Sequence, residues 1–347
     1  MSLELRAIPE SGSTQVRQFL RGVFDSPDDA LYIAPAQMHW KYWEPHPNWT
    51  GSRSYAYIDD AGDIAAHACA WPFGLRTTDA MLFGAHPIDW AAGMKIPGVG
   101  ALLLRQIRSL RDISCCIGGT EIAQKVIRQT GFKPVATMKS LALPLRPLRQ
   151  AFTHQRVNWK LPARFVRNTA WKMKAGSPPP DWSASIVEAH EIHVGLLPAP
   201  SDGLAVPVRS VALFEYLAKC PTADYQVWLV RHGREHRGYF LLSLVPGQAR
   251  IADAWVTAPA GVEEWRALYA LAIQAAREHR SSAELTTSGT LAVALEGAIA
   301  CGFRQYTEEQ VMMFDPKKQL ASIERFHLQM IDNDMSFLHG HRPDYVT

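Results

Sequence analysis

The first half of the chain alternates between helical and strand spacing of its apolar positions. Residues 13–24, STQVRQFLRGVF, follow the helical period. Residues 35–49, PAQMHWKYWEPHPNW, predict a short aromatic helix that ends at Pro45. In residues 54–73 two apolar runs flank Asp59-Asp60-Ala61-Gly62-Asp63, which is a hairpin signal. Residues 80–92, AMLFGAHPIDWAA, predict one strand or a pair of strands, and a helix follows over 99–110. DISCCIGG (112–119) predicts a short buried strand. TEIAQKVIRQTGF (120–132) predicts a helix with Thr120 as N-cap and Gly131 as its stop, and 133–145 closes with a strand.

The second half repeats this plan. Residues 225–244 again give strand, polar turn, strand. ARIADAWV (249–256) matches the strand around Asp89 and Trp90 through Asp253 and Trp255. A long helix is expected over 261–279, with Trp265, Leu268, Tyr269, Leu271 and Ile273 at its apolar spacing. SAELTTS (282–288) then predicts a strand, and 290–304 a helix ending in Gly302-Phe303, as the first half ends in Gly131-Phe132. Asp89 lies 42 positions before Gly131, and Asp253 lies 49 before Gly302. Repeated element order with repeated landmarks points to a duplicated domain.

A length of 347 residues suits two cores better than one. The expected organisation is a domain over 1–145, a linker over 146–180, a second domain over 181–320 and a tail over 321–347. No run reaches the ~20 apolar residues that cross a bilayer, and the N-terminus shows no secretory pattern. The five cysteines show no metal-ligand spacing. A reducing cytoplasmic location and no metal are expected. Cys115 and Cys116 read as small buried strand residues with a reactive thiol as the alternative. His327, His339 and His341 match no recognised metal site, and a surface tail is expected there.

The net charge of +3 is modest, but residues 141–180 contain no acidic residue. They hold Arg146, Arg149, Arg156, Lys160, Arg164, Arg167, Lys172 and Lys174, with Phe152, Trp159, Phe165 and Trp171 between. Three readings stand for 146–174. A solvated connector is the default. Contact with the anionic inner face of a membrane is the second. RNA ranks last, since no RNA-binding motif is present, and nucleic acid is not expected as a partner.

With the strand-loop-helix at 89–110 and the Gly-Phe ending of 120–132, the chain resembles the GNAT superfamily of N-acyltransferases as a tandem of two such domains. The nearest likeness is to tandem GNAT-like proteins of bacterial polysaccharide and cell-wall gene sets. It covers most of 5–145 and, more weakly, 185–318. The family loop Arg/Gln-x-x-Gly-x-Gly/Ala is matched by Lys95-Ile96-Pro97-Gly98-Val99-Gly100. The resemblance implies an α+β fold, each domain a mixed, mostly antiparallel twisted sheet flanked by helices. It implies acetyl-CoA or another acyl-CoA as co-substrate, held at Trp90, Ala91, Lys95, Gly98, Val99, Gly100 and Ala101. Backbone N–H groups at a helix N-terminus suit a pyrophosphate.

Four departures mark this chain, one of them a connection from Trp90 that is shorter than usual in the family. Lys95 replaces the planar Arg or Gln, and Pro97 removes one loop N–H. Ile127 stands where the family often places a tyrosine general acid. In the second half Glu263 and Glu264 stand where a pyrophosphate would sit, so only the first domain is expected to bind CoA.

The resemblance also implies roles. Asp89 is placed as the carboxylate that deprotonates an acceptor, with a capping or salt-bridge residue as the alternative. His67 is a second candidate base, although a strand histidine is more often a satisfied half-buried residue. Tyr32, Trp40, Tyr42 and Trp43, with Lys41, fall on the acceptor side, where aromatic rings could stack on a sugar or where they could serve as core. The expected activity is acyl transfer to an amine or hydroxyl of a sugar, polysaccharide or envelope precursor. The alternatives are an inactive GNAT-like binding or scaffold protein, and a Fem-type transferase using aminoacyl-tRNA.

Overall fold

A computed structural model describes residues 2–153, 159–258 and 260–347. Arg156 of the basic stretch lies outside them. In chain order the elements are β1 (Leu3–Ala7), α1 (Ser13–Val23), α2 (Pro35–Tyr42), β2 (Ser54–Asp59), β3 (Ile64–Arg76), β4 (Met81–Ala92), α3 (Val99–Ile107), β5 (Ile113–Ile117), α4 (Glu121–Gln129) and β6 (Lys133–Pro144). They continue as α5 (Pro147–Thr153), α6 (Leu161–Lys172), β7 (Trp182–Val187), β8 (Leu204–Pro207), α7 (Val211–Ala218), β9 (Asp224–His232), β10 (Glu235–Val245), β11 (Gln248–Val256), α8 (Val262–Glu278), β12 (Glu284–Gly289), α9 (Ala292–Ala300) and β13 (Arg304–Phe314).

The chain forms two compact units. The first holds the chain up to Thr137 with Ser201–Val208 and Glu309–Glu324, and the second holds Met138–Pro200, Arg209–Glu308 and Arg325–Thr347. In the first unit β1, β2, β3 and β4 pair antiparallel in sequence order. β5 joins β4 in parallel, and residues 311–314 of β13 pair antiparallel with β5. In the second unit β7, β9, β10 and β11 pair antiparallel, β12 joins β11 in parallel, and residues 139–144 of β6 pair antiparallel with β12. Each half of the sequence therefore supplies the strand that completes the other unit's sheet.

The local chemistry explains the helices on each sheet. α1 buries Val16 and Leu20, one turn apart, and leaves its other face wet. Thr120 caps α4 by accepting the Ala123 N–H, Glu121 sits in the first turn, and Gly131 ends the segment at φ +89°. Gly302 ends the matching segment of the second unit at φ +95°. α3 lays Val99, Leu103 and Ile107 on the small strand residues Ala66, Ala68, Ala70 and Ala85, with Trp49 and Tyr57 beside them.

Strand β1, helix α7 and helices α5 and α6 were not anticipated from the pattern. β1 is five residues long and half wet, too short for a period to show. α7 is apolar nearly all round. The stretch read as a linker is a pair of helices fastened by buried polar groups. Asn168 donates to the Gln150 side chain (3.0 Å), and the Trp171 indole donates to the Gly302 carbonyl (2.6 Å).

The C-terminal segment is not a surface tail. His327, Gln329, Asp332, Asn333 and Ser336 are buried, and the Thr347 N–H donates to the buried Glu284 carboxylate at 2.9 Å.

Met312 of β13 reports on the strand exchange. It is fully buried among Leu104, Cys116, Ile127 and Phe132 of the first unit. We expect Met312→Ala to destabilise the first unit by about 2–5 kcal/mol through the lost burial and the cavity left behind. Urea unfolding followed by tryptophan fluorescence measures this. A loss well under that range means that the β13 contribution is dispensable.

Candidate active site

β4 is bulged beside its partner β3. His67 pairs with Ala91 and Cys69 with Ile88, so Asp89 and Trp90 together face the single position Ala68. Asp89 has φ +50°, in the left-handed region that a residue with a Cβ adopts at a cost of about 1–3 kcal/mol.

Its side chain explains how that conformation is held. Asp89 Oδ2 accepts from Lys41 Nζ (2.5 Å) and from Tyr42 Oη (2.7 Å), both at the end of α2. The Lys41 side chain is 2% exposed and that of Asp89 8%, so this is a buried ion pair. Burial, then the Asp89 charge, raises the Tyr42 phenol well above its ordinary range, so it stays protonated and donates. The second carboxylate oxygen, Oδ1, has no hydrogen-bond partner among the described residues.

His67 corrects one expectation. It is fully buried on β3, with Nε2 2.9 Å from Ser54 Oγ and Nδ1 3.4 Å from the Asp89 carbonyl. Burial lowers its pKa to about 4, so at neutral pH it is uncharged and both nitrogens are engaged. It steadies the bulge and is poorly placed to act as a free base.

The acceptor-side aromatics are corrected too. Trp40 is buried against Trp71 with ring centroids 5.4 Å apart, and Tyr42 is fully buried. Both are core. Tyr32 and Trp43 are partly exposed, Tyr32 with its hydroxyl 2.7 Å from Ser26 Oγ and Trp43 with its indole donating to the Ile8 carbonyl at 2.9 Å. Cys115 and Cys116 are buried and unbridged, and burial raises the Cys116 thiol well beyond its ordinary range, which removes the reactive-thiol alternative there.

Beyond the bulge, the two glycines of the loop have separate jobs. Gly98 starts α3 at φ +81°, and a Cβ built there meets nothing within 4 Å, so the loop is open on that side. Gly100 is packed. A Cβ there would lie 3.0 Å from Ala92 Cβ, and the Trp90 indole donates to the Gly100 carbonyl at 3.1 Å. Trp90, Ala92, Val99 and Gly100 thus seat α3 on β4, Ala91 is buried opposite His67 of β3, and the N–H groups at Gly98 and Ala101 begin the helix free of backbone acceptors. The Lys95 ammonium is exposed, 4.0 Å from Asp63. A cavity of about 380 Å³ adjoins this loop, lined by Gln15, Gln18, Phe19, Asp59, Asp63 and Lys95 among others, with Asp89 outside it.

The strands beside this loop part early. β4 pairs with β5 only at Gly84–Ile113 and Ala85–Ser114, although β4 runs to Ala92 and β5 to Ile117. In the second unit the same parting is filled. β11 and β12 pair from Gln248–Glu284 to Ile251–Thr287. The segment after Phe326 then enters: Gln329 bridges to Gly289, and the Thr290 N–H donates to the Leu328 carbonyl at 3.2 Å. Across the gap Gln329 Nε2 donates to the Ala254 carbonyl (2.8 Å) and the Asp253 carboxylate (3.0 Å). Asp253 is itself held by Arg209 and Tyr239, and Arg209 also grips Asp332. Glu263 and Glu264 stand in the first turn of α8, where they complement the helix dipole.

Among the described residues, no group of three or more His, Cys, Asp or Glu side chains could hold a metal ion, and no helix is long and apolar enough to cross a membrane.

Two stability measurements follow. His67 and His327 both have pKa values lowered to about 4 by burial, against about 6.5 when unfolded. The unfolded chain therefore binds more protons below pH 6.5, and stability falls as pH drops from there toward 4, by up to about 3 kcal/mol for each histidine. Denaturant unfolding at stepped pH checks this, and a His67→Gln variant should lose part of the slope. Separately, Lys41→Met leaves the Asp89 charge buried without its partner and should cost about 3–5 kcal/mol, partly recovered by adding Asp89→Asn. No recovery in the double variant would place the cost in packing instead.

No protein-family model matches the chain, and no curated protein matches its sequence. Solved structures do match in shape. A tandem GNAT protein from the clavulanic acid biosynthesis pathway aligns over 90% of this chain and 98% of its own, with 12% identity and a TM-score of 0.57. A GCN5-related N-acetyltransferase from Anabaena variabilis ATCC 29413 covers 92% of this chain and 74% of its own, with 11% identity and a TM-score of 0.57. One from Kribbella flavida covers 92% and 72%, with 14% identity and a TM-score of 0.51. At such identities the likeness establishes the fold, and this chain has the α+β tandem GNAT fold.

Proposed function

We propose that the first unit binds an acyl-CoA, acetyl-CoA being the simplest, and transfers its acyl group to an amine or hydroxyl. One observation carries this reading: β4 and β5 part beside a bulge that presents Asp89, next to the left-handed Gly98 start of α3. Bound acyl-CoA supplies an acyl group activated as a thioester. The chain's own residues supply the rest. The N–H groups of Gly98 and Ala101 suit a pyrophosphate, and the open side of Gly98 leaves it room. The backbone polar groups of β4 past Ala85 that do not pair with β3 are available to an extended ligand, since β5 does not pair with them.

Asp89 accepts the acceptor's proton at Oδ1, directly or through water, as the nitrogen or oxygen attacks the thioester carbonyl and the C–S bond breaks to release CoA as its thiolate. Lys41 and Tyr42 occupy Oδ2 and keep the carboxylate aimed. His67 holds the Asp89 carbonyl, so its role is positioning. With Trp40 and Tyr42 in the core, Tyr32 and Trp43 are the aromatic side chains of that set left to a sugar acceptor, and the sugar or envelope-precursor class rests on them. The second unit does not take CoA, since its own segment 327–329 stands between β11 and β12.

A second reading has one observation in its favour. Ile127 is buried where a tyrosine acid would serve the leaving thiolate, and a GNAT-like binding protein without turnover would have that vacancy.

Calorimetry with acetyl-CoA separates these outcomes. We expect one site per chain, lost in Gly98→Glu, which adds a carboxylate and a Cβ at a left-handed position. Asp89→Asn should keep CoA binding and lower kcat by about 10²–10⁴-fold in an acceptor panel of amines and amino sugars. Binding without turnover favours the second reading. No binding by the unaltered protein sinks both.

A further inference from the structure

Helices α5 and α6 have an inner face and an outer face of opposite character. Gln150, Asn168 and Trp171 point inward, buried and hydrogen-bonded within the second unit. The outer face is apolar and bare. Leu148 and Phe152, one turn apart on α5, are 60% and 82% exposed. Val166 on α6 and Met173 at its C-cap, two turns apart on one face, are 66% and 83% exposed, and Trp159 ahead of α6 is 86% exposed. Of the eight large apolar side chains that are 60% or more exposed among the described residues, these five fall within 148–173. Scattered single exposures need no explanation, but this clustering does.

The charge around them has one sign. Residues 141–180 hold no Asp or Glu. Arg146 has its pKa lowered by burial and then by Arg149, Arg277 and Arg280, and Arg167 by burial and then by Arg164 and Arg304. Arginines here crowd other arginines, so the surface is a positive field around exposed apolar side chains. Both parts have to be satisfied by one occupant. A bilayer with anionic headgroups offers an apolar layer under a negative surface, and interfacial helices with Trp, Phe and Leu beside Lys and Arg match it. Single-stranded RNA would meet the charge and stack on Phe152 or Trp159, but it offers nothing to Leu148, Val166 and Met173.

We propose that the outer face of α5 and α6 docks the protein peripherally on an anionic phospholipid bilayer, with Phe152, Trp159, Val166 and Met173 entering the headgroup boundary and Arg149 and Arg167 meeting the phosphates. This does not depend on the acyl-transfer reading, since every residue named lies outside that site.

The experiment is vesicle co-sedimentation with the full chain. Vesicles are phosphatidylcholine alone, or phosphatidylcholine and phosphatidylglycerol in roughly equal parts. We expect binding to the mixed vesicles, weakened by salt, with a blue shift in tryptophan emission that Trp159→Phe diminishes. Phe152→Ser with Val166→Ser should weaken binding about tenfold or more, and Arg149→Glu with Arg167→Glu should abolish the preference for anionic vesicles. The substituted side chains are exposed, and unchanged thermal unfolding and unchanged acetyl-CoA calorimetry in the variants keep folding and the first unit's site separate from the result. Equal partition onto both vesicle types, binding indifferent to the apolar variants, or tighter binding to a single-stranded RNA oligonucleotide than to mixed vesicles overturns the proposal.

Discussion

Backbone N–H and C=O groups have to be partnered wherever they are taken from water, and this requirement shapes both units at the same place. A parallel pair of strands that separates leaves two edges bare. In the second unit the edges of β11 and β12 are answered by residues 327–329, through the Ala254 carbonyl on one side and Gly289 and Thr290 on the other. In the first unit β4 and β5 separate after Ala85 and Ser114, and among the described residues no segment of that unit pairs between them. The fold is the same, but the second unit closes this parting with its own chain and the first does not.

The buried charges follow the same division. Arg209 is forked onto Asp253 and Asp332, Tyr239 and Gln329 complete the set, and both Asp253 oxygens are used. Asp332 belongs to the segment that fills the cleft, so filling it and neutralising Arg209 are one event. A buried ion pair contributes little net stability, but breaking one is costly, which makes that segment a fixed part of the second unit. In the first unit Lys41 and Tyr42 converge on a single oxygen of Asp89 and leave the other free, on a backbone held in a left-handed conformation. Backbone strain and an unfilled acceptor therefore sit side by side at Asp89.

The duplicated order of helices and strands was legible in the sequence because long elements carry their period and their stops in local residues. Thr120, Gly131 and Gly302 act within a few positions of themselves. The Gly98-Val99-Gly100 turn was legible as a helix start. Its two glycines could not be told apart, because one answers to backbone conformation and the other to the distance of Ala92 across the sheet. Lys41 was visible as a charge among the acceptor-side aromatics. That it faces Asp89, 48 positions on, is a matter of topology.

Periodicity and caps thus determined the tandem plan, the hairpins and the candidate loop, since each depends on neighbours in the chain. Tertiary structure decided the rest. Trp40 and Tyr42 became core, His67 became a neutral support for the bulge, the apparent tail became the filling of the second cleft, and each half completed the other's sheet. Each of these outcomes rests on a contact between residues far apart in sequence. Burial and hydrogen-bond partners set a side chain's chemistry, and neither is written in the residues beside it.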